Sequence, residues 1–316
     1  MNKLIRRFTA TSSSPATKLN LNFVPKHEPP RSQDIAELQQ FLSDHSRILV
    51  ITGAGVSTES GIPDYRSEDV GLFATSNQKP MKIQEFLSSS TAQKRYWARN
   101  FFAWPRFSSF TPNIAHQTVR DWELGGKVSC LVTQNVDGLH KKAGSSDCIE
   151  LHGTNHVVKC IDVKNCGYTV ERRVFQDTLI DCNANLNLAL RGGGDNPQQI
   201  RPDGDITIDP DIQKWFNIPP CPSCGGVLKP DIVFFGDNVP KAKVELIYDH
   251  LNSSDALLVL GSSLQTFSAF RYIITARELG MRVAIVTLGP TRGDSLANLK
   301  LICRVGEILP LVKAKL

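Results

Sequence analysis

Four short apolar runs, each followed closely by a glycine or an asparagine, constrain the fold of this chain more than any other feature. They occupy residues 47–51 (RILVI) before Gly53, 129–133 (SCLVT) before Asn135, 255–260 (DALLVL) before Gly261 and 283–286 (VAIV) before Gly289. Such short runs without polar alternation have no solvent face, so they fit strands buried on both sides, as in a parallel sheet. Helical patterns lie between them, such as residues 32–43, where Ile35, Leu38, Phe41 and Leu42 fall on one face. Repeating strand, turn and helix predict an α/β domain with a Rossmann-like, doubly wound parallel sheet and ligands beyond the carboxyl ends of its strands. This domain is expected to use residues 35–66, 113–152 and 229–316. Two insertions interrupt it: a helical, aromatic-rich module at 67–112 and a smaller zinc-binding domain with a long loop at 153–228.

A chain of 316 residues, 41% of them hydrophobic, buries a substantial core without disulfide staples. Its net charge of +5 suggests an acidic partner until the charges are located. Residues 1–27 contain Lys3, Arg6, Arg7, Lys18 and Lys26 and no acid, and the other 31 basic residues balance 31 acidic ones. With no basic run interleaved with aromatics, a nucleic-acid partner is not expected. The segment MNKLIRRFTATSSSPATK, with Leu4, Ile5 and Phe8 on one stripe, has the composition of a mitochondrial transit peptide and predicts a matrix location. No apolar stretch of about 18 residues offers a membrane span.

In a reducing or matrix compartment, thiols serve more often as metal ligands or buried apolar groups than as disulfides. Of the eight cysteines, Cys221 and Cys224 lie in CPSCGG, a zinc-knuckle turn. Cys160 and Cys166 are the expected partner pair, with Cys182 a rival ligand. Four thiolates leave no open coordination position, so the zinc should be structural.

The turn after the first strand, Gly53-Ala54-Gly55-Val56-Ser57, lets backbone approach a pyrophosphate at the start of a helix. A third glycine of the ordinary dinucleotide fingerprint would fall at Thr58, which argues against an NAD-dependent oxidoreductase.

The turn continues as GAGVSTESGIPDYRS (53–67). With TQNVDGLH (133–140), LHG (151–153), CPSCGG (221–226), KPDIVFFGD (229–237) and GSSL (261–264), it resembles the sirtuin family from about residue 35 to 310. RYWARNF (95–101) and the transit-like start resemble the mitochondrial sirtuin 4 branch. The resemblance implies NAD-dependent deacylation, with ADP-ribosyl transfer as a side branch. Acyl-lysine oxygen attacks the anomeric carbon of NAD, nicotinamide leaves, and a base activates a ribose hydroxyl that captures the acyl group. His152 matches the base, a role suited to a group with an unperturbed pKa of ~6.5. Asn135 and Gln134 match residues that hold the ribose or an attacking water, and Asp137 the partner of the nicotinamide carboxamide. The rest of the implied cofactor site comprises Gly53, Ala54, Gly55, Ser57, Thr58, Ile62, Pro63, Asp64, Tyr65, Arg66, Val136, Gly261, Ser262, Ser263 and Val305. It continues through Thr287, Leu288 and Gly289, where the family usually carries Asn at the first position.

On the substrate side, Val233, Phe234, Phe235 and Gly236 resemble the family's edge segment, which pairs with an extended peptide. Tyr96 and Arg99, three apart on a helix, share a face and suit a clamp for a terminal carboxylate, a pattern also found in sirtuins that remove malonyl and succinyl groups. Acidic or long acyl groups on mitochondrial metabolic enzymes are the expected substrates. The polar connection 167–220 holds two turn-rich stretches, 191–197 and 201–205, and part of 183–211 is expected to fold against the acyl pocket. A weakly catalytic, NAD-sensing binding protein is the third reading.

Overall fold

The chain is described from a computed structural model for residues 24–75, 80–162, 164–186, 201–208 and 210–313. Most of the transit-like segment, residues 1–23, and the turn-rich stretch 191–197 lie outside these residues. The strands are β1 (Ile48–Thr52), β2 (Val128–Thr133), β3 (Cys148–Glu150), β4 (Gly153–Cys160), β5 (Thr169–Glu171), β6 (Leu228–Ile232), β7 (Ala256–Leu260), β8 (Arg282–Val286) and β9 (Leu299–Leu301). Six of them form one sheet in the order β3-β2-β1-β7-β8-β9, parallel throughout. All four apolar runs therefore became neighbouring strands of that sheet.

Alternation of side chains along a strand explains why these runs lack polar residues. Ile48 and Val50 face a core with Leu38, Phe41 and Leu42 of the helix Ser32–Asp44 and with Val119 and Trp122 of the helix Ile114–Leu124. Leu49 and Ile51 face the opposite core, with Ile247 and Leu251 of the helix Lys241–Asn252 and Tyr272 and Ile273 of the helix Phe267–Glu278. Every residue of β1 and β7 is buried. Each such aliphatic side chain contributes roughly 1.5–3 kcal/mol by leaving water. Ile35, expected on the buried face, is only partly covered at the cluster's edge.

A second sheet, in the order β5-β4-β6, is antiparallel. Its pairing runs from Cys160 opposite Leu228 to Gly153 opposite Ile232. Residues 229–232 (KPDI) thus pair with the small sheet, whereas the sequence reading began the last Rossmann-like segment at 229; a motif alone does not reveal its pairing partner. The aromatic-rich insertion holds the helices Leu72–Thr75, Ile83–Ser88 and Ser90–Ser109. Phe86, Trp97 and Phe101 join Val158, Phe175 and Leu179 in one cluster, so the two insertions share a core. No helix among the described residues is long and apolar enough to cross a membrane.

The chain passes from β1 outward to β2 and β3, then returns to the other side of β1 for β7, β8 and β9. This reversal opens a crevice between the loops after β1 and β7, where α/β sheets bind ligands. The loops interlock: Gly53 N–H donates to Leu260 O (3.0 Å) and Gly55 N–H to Gly261 O (2.9 Å). Gly261 has φ +58°, and a Cβ there would lie 2.5 Å from the Val56 nitrogen. Gly261→Ala combines left-handed strain with a backbone clash, so we expect a loss of roughly 1–3 kcal/mol or more in denaturant unfolding and weakened nucleotide binding. Wild-type stability in that variant would show that the loops can separate at no cost.

Candidate active site

A cleft of about 1320 Å³ opens at the reversal point of the sheet. It gathers all the expected cofactor residues except Pro63, from Gly53, Ala54 and Gly55 through Gln134 and Asp137 to Thr287 and Val305. Val233, Phe234, Phe235, Gly236, Tyr96 and His152 also line it, and Arg99 does not.

Its floor is a buried polar network at the end of β2. Asn135 Nδ2 donates to Gly53 O (3.1 Å) and to Ser57 Oγ (3.0 Å), and the Ser57 hydroxyl donates to Asp137 Oδ2 (2.7 Å). The Leu139 amide donates to Asp137 Oδ1 (2.9 Å). Burial raises the Asp137 pKa, and the Leu139 and Ser57 hydrogen bonds partly oppose the rise. Gln134 Nε2 donates to Ser262 Oγ (2.7 Å), and its Oε1 accepts from the Thr266 hydroxyl (3.3 Å), tying β2 to the loop after β7.

His152 follows β3, immediately before β4. Its Nδ1 lies 3.0 Å from the Gln134 carbonyl, an acceptor only, so in the neutral ring Nδ1 carries the proton and Nε2 the lone pair. Burial lowers its pKa from 6.5 to about 4, against the upward pull of that carbonyl bond. The ring is therefore neutral at pH 7, with the lone pair on Nε2. Nε2 lies 2.8 Å from Ser268 Oγ, a contact no motif in the sequence announced.

Other expected residues have different local tasks. The amides of Arg66 and Ser67 donate to Asp64 Oδ1 (3.0 and 2.7 Å) and the Ser67 hydroxyl to Oδ2, so Asp64 shapes the loop. The Arg66 guanidinium stacks on Phe73, 5.2 Å from the ring centre. Residues 24–28, which begin inside the leader-like segment, also line the cleft. There His27 Nε2 meets Glu307 Oε1 at 3.0 Å.

Among the residues expected to meet the substrate, the buried Tyr96 ring meets Phe234 edge to face at 5.1 Å. Arg99 Nη2 pairs with Asp205 at 2.7 Å, and its Nε donates to Ile206 O (2.6 Å). Arg201 meets the same carboxylate at 3.1 Å. Of the expected carboxylate clamp, Arg99 is therefore already engaged by a carboxylate of the protein, while the Tyr96 hydroxyl has no hydrogen-bond partner among the described residues. Pro202, Asp203 and Asp205, from the second turn-rich stretch, line the cleft, and Asn155 Nδ2 donates to Asp203 O (2.8 Å). Spacing on one helix could not disclose partners about a hundred residues away. The edge segment is partly used as well: Val233 N–H donates to His152 O (2.8 Å) and Ile83 N–H to Phe235 O (3.0 Å).

Cys160, Cys166, Cys221 and Cys224 place their sulfurs within 4.8 Å of one another, with Cys160–Cys224 and Cys166–Cys221 at 3.5 Å. Zn–S bonds of about 2.3 Å require S–S edges of about 3.8 Å in a tetrahedron, so this donor set fits a structural zinc ion. In the knuckle, Gly225 N–H donates to Cys221 O and Cys221 N–H to Gly226 O, both 2.8 Å, and Gly226 N–H approaches Cys224 Sγ at 3.4 Å. Cys182 is exposed at the end of the helix Arg172–Cys182, outside the cluster.

A doubly wound sheet, a neutral imidazole at its reversal point and a closed four-thiol site together define a fold class that comparison with known proteins identifies. The Sir2 family model matches residues 53–268. The chain is 48% identical over 304 residues to the NAD-dependent protein deacylase Sirt4 of Drosophila melanogaster, covering 96% of this chain and 94% of that protein. It is 46% identical over 307 residues to the NAD-dependent protein lipoamidase sirtuin-4, mitochondrial, of Homo sapiens, covering 97% and 95%. A solved structure from "Structural Basis for the Mechanism and Regulation of Sir2 Enzymes" matches with TM-score 0.65 and 28% identity over 89% of this chain and 96% of that one. A complex described as "Sir2-p53 peptide-NAD+" matches with TM-score 0.65 and 27% identity over 87% and 95%. The chain belongs to the Sir2 family.

Cys166→Ser should release the zinc, measured by metal analysis of the purified protein, and expose the small domain to protease. Cys182→Ser should keep one equivalent of zinc; metal loss in that variant would place Cys182 among the ligands.

Proposed function

We propose that this chain is an NAD-dependent protein lysine deacylase that transfers the acyl group to ADP-ribose with release of nicotinamide, with His152 as its base. The observation that carries this reading is the tautomer of His152: the Gln134 carbonyl accepts from Nδ1–H, which places the basic lone pair on Nε2 of a residue that lines the cleft. When bound, NAD supplies the sugar carbon that nicotinamide leaves and the hydroxyl that receives the acyl group. Gly53, Gly55 and Gly261 let the loops after β1 and β7 close on each other, where a Cβ on any of them would strike the facing loop, and this backbone-lined turn is suited to phosphate. Asp137, buried and bonded by Ser57 and Leu139, orients the nicotinamide amide; Asn135 and Gln134 hold the ribose. His152 takes the proton of the ribose hydroxyl at Nε2. ADP-ribosyl transfer to protein is the side branch of the same site.

The favoured acyl group is long and uncharged. Arg99 does not line the cleft and is engaged by Asp205, which does, so an acidic tip meets a carboxylate there and no open cation from that residue. A human relative that carries the name lipoamidase supports a lipoyl-type group. The residues around 202–205 that line the cleft support a role for this connection in choosing the acyl group. Mitochondrial names among the relatives and the acid-free, Arg-rich start support action in the mitochondrial matrix, on metabolic enzymes.

His152→Ala should lower acyl transfer by roughly 10²–10⁴-fold while NAD binding stays within a few-fold, read by calorimetry and product formation. Retained turnover would remove His152 from the mechanism. Because the folded pKa is about 4 against an ordinary 6.5, the acid limb of kcat/KM should fall well below pH 6.5. The sign for stability follows from the same depression: between these values the unfolded chain takes a proton that the folded chain refuses, so stability declines as pH drops through that window. A limb at 6.5 would mean a solvated imidazole. Arg99→Met leaves a buried carboxylate with one partner fewer, at a cost of up to roughly 3–5 kcal/mol. It should reduce glutaryl-lysine and lipoyl-lysine turnover alike; a loss confined to glutaryl-lysine would restore the clamp.

A further inference from the structure

We propose that Ser268 is a positioning residue for His152, holding the imidazole before the chemical step and keeping a partner on Nε2 after it. The proposal rests on the reading of His152 as the base. Ser268 is the second residue of the helix Phe267–Glu278, and its Oγ lies 2.8 Å from Nε2 and lines the same cleft. With the Gln134 carbonyl on Nδ1 at 3.0 Å, both ring nitrogens are bonded, which leaves the imidazole plane no freedom to turn. Two rigid supports hold these partners: the end of β2, which carries Gln134, and the helix that follows β7. They are themselves joined, because Gln134 bonds Ser262 and Thr266.

A hydroxyl is suited to this place because it both donates and accepts. While His152 is neutral, the Ser268 hydroxyl donates to Nε2. An incoming ribose hydroxyl needs that lone pair, so Ser268 must rotate its hydrogen away and leave its oxygen beside the ring. When the ribose proton moves to Nε2, the new N–H can be shared with Ser268 Oγ, which accepts it without losing its own proton. Alanine offers neither bond. Threonine keeps both.

The two halves of the reaction separate the possibilities. Exchange of labelled nicotinamide into NAD in the presence of acyl-peptide reports departure of nicotinamide, which precedes the base. Formation of acyl-ADP-ribose reports the step that needs His152. For Ser268→Ala we expect exchange within about twofold of wild type and acyl-ADP-ribose formation lowered about tenfold, the value of one lost hydrogen bond in the second step. Ser268→Thr should restore it. Equal losses in both steps with no rescue by threonine would make Ser268 structural, and wild-type rates in both would deny it any part. His152→Ala, run alongside, should lose only the second step. If it keeps acyl transfer, the base reading itself falls, an outcome distinct from a failure of Ser268 alone.

Discussion

Everything at the site depends on the close approach of two loops, after β1 and after β7, where the sheet changes direction. Gly53, Gly55 and Gly261 are in near contact, with hydrogen bonds of 2.9 and 3.0 Å joining the loop backbones. A side chain on any of them would push the loops apart and widen the crevice. The parallel sheet beneath holds the approach rigid, because β1 and β7 are buried along their whole length and pair residue by residue. A core of this density transmits any displacement instead of absorbing it.

On this base the polar groups form a chain of dependencies. Gly53 O fixes Asn135, Asn135 and Asp137 share Ser57, and Gln134 both spans to the β7 loop and orients His152. Burial makes each bond consequential: it raises the Asp137 pKa and lowers that of His152, in each case disfavouring the charged form. A basic nitrogen that stays unprotonated far below neutral pH is available as a proton acceptor throughout the physiological range.

At the other end of the cleft the same physics closes a possibility. Two arginines, Arg99 and Arg201, converge on Asp205. An arginine in a partly apolar wall must be paired, and here the chain supplies the partner itself. The zinc-binding part bears on the site through structure. Its four sulfurs fix the ends of β4 and of the turn before β6, and these strands, with the helical module, form the wall against which the substrate end is built.

Much of this was legible in the linear chain. Double-sided burial leaves an apolar run with no alternation, so the four central strands could be read directly; the glycines were read as room for a pyrophosphate, and that they let two loops meet came only from the structure. The expected cofactor residues and His152 lay in contiguous motifs because each comes from one strand end and its turn, where local chemistry and position coincide. Tertiary structure decided what spacing cannot encode: that Cys166 and not Cys182 completes the thiol set, that residues 229–232 pair with the small sheet, that Arg99 is taken by Asp205, and that Ser268 reaches His152 across 116 positions. The physical reason is common to all four. A hydrogen bond, an ion pair or a metal site is specified by where atoms meet in space, and only folding of the separate segments brings those atoms together.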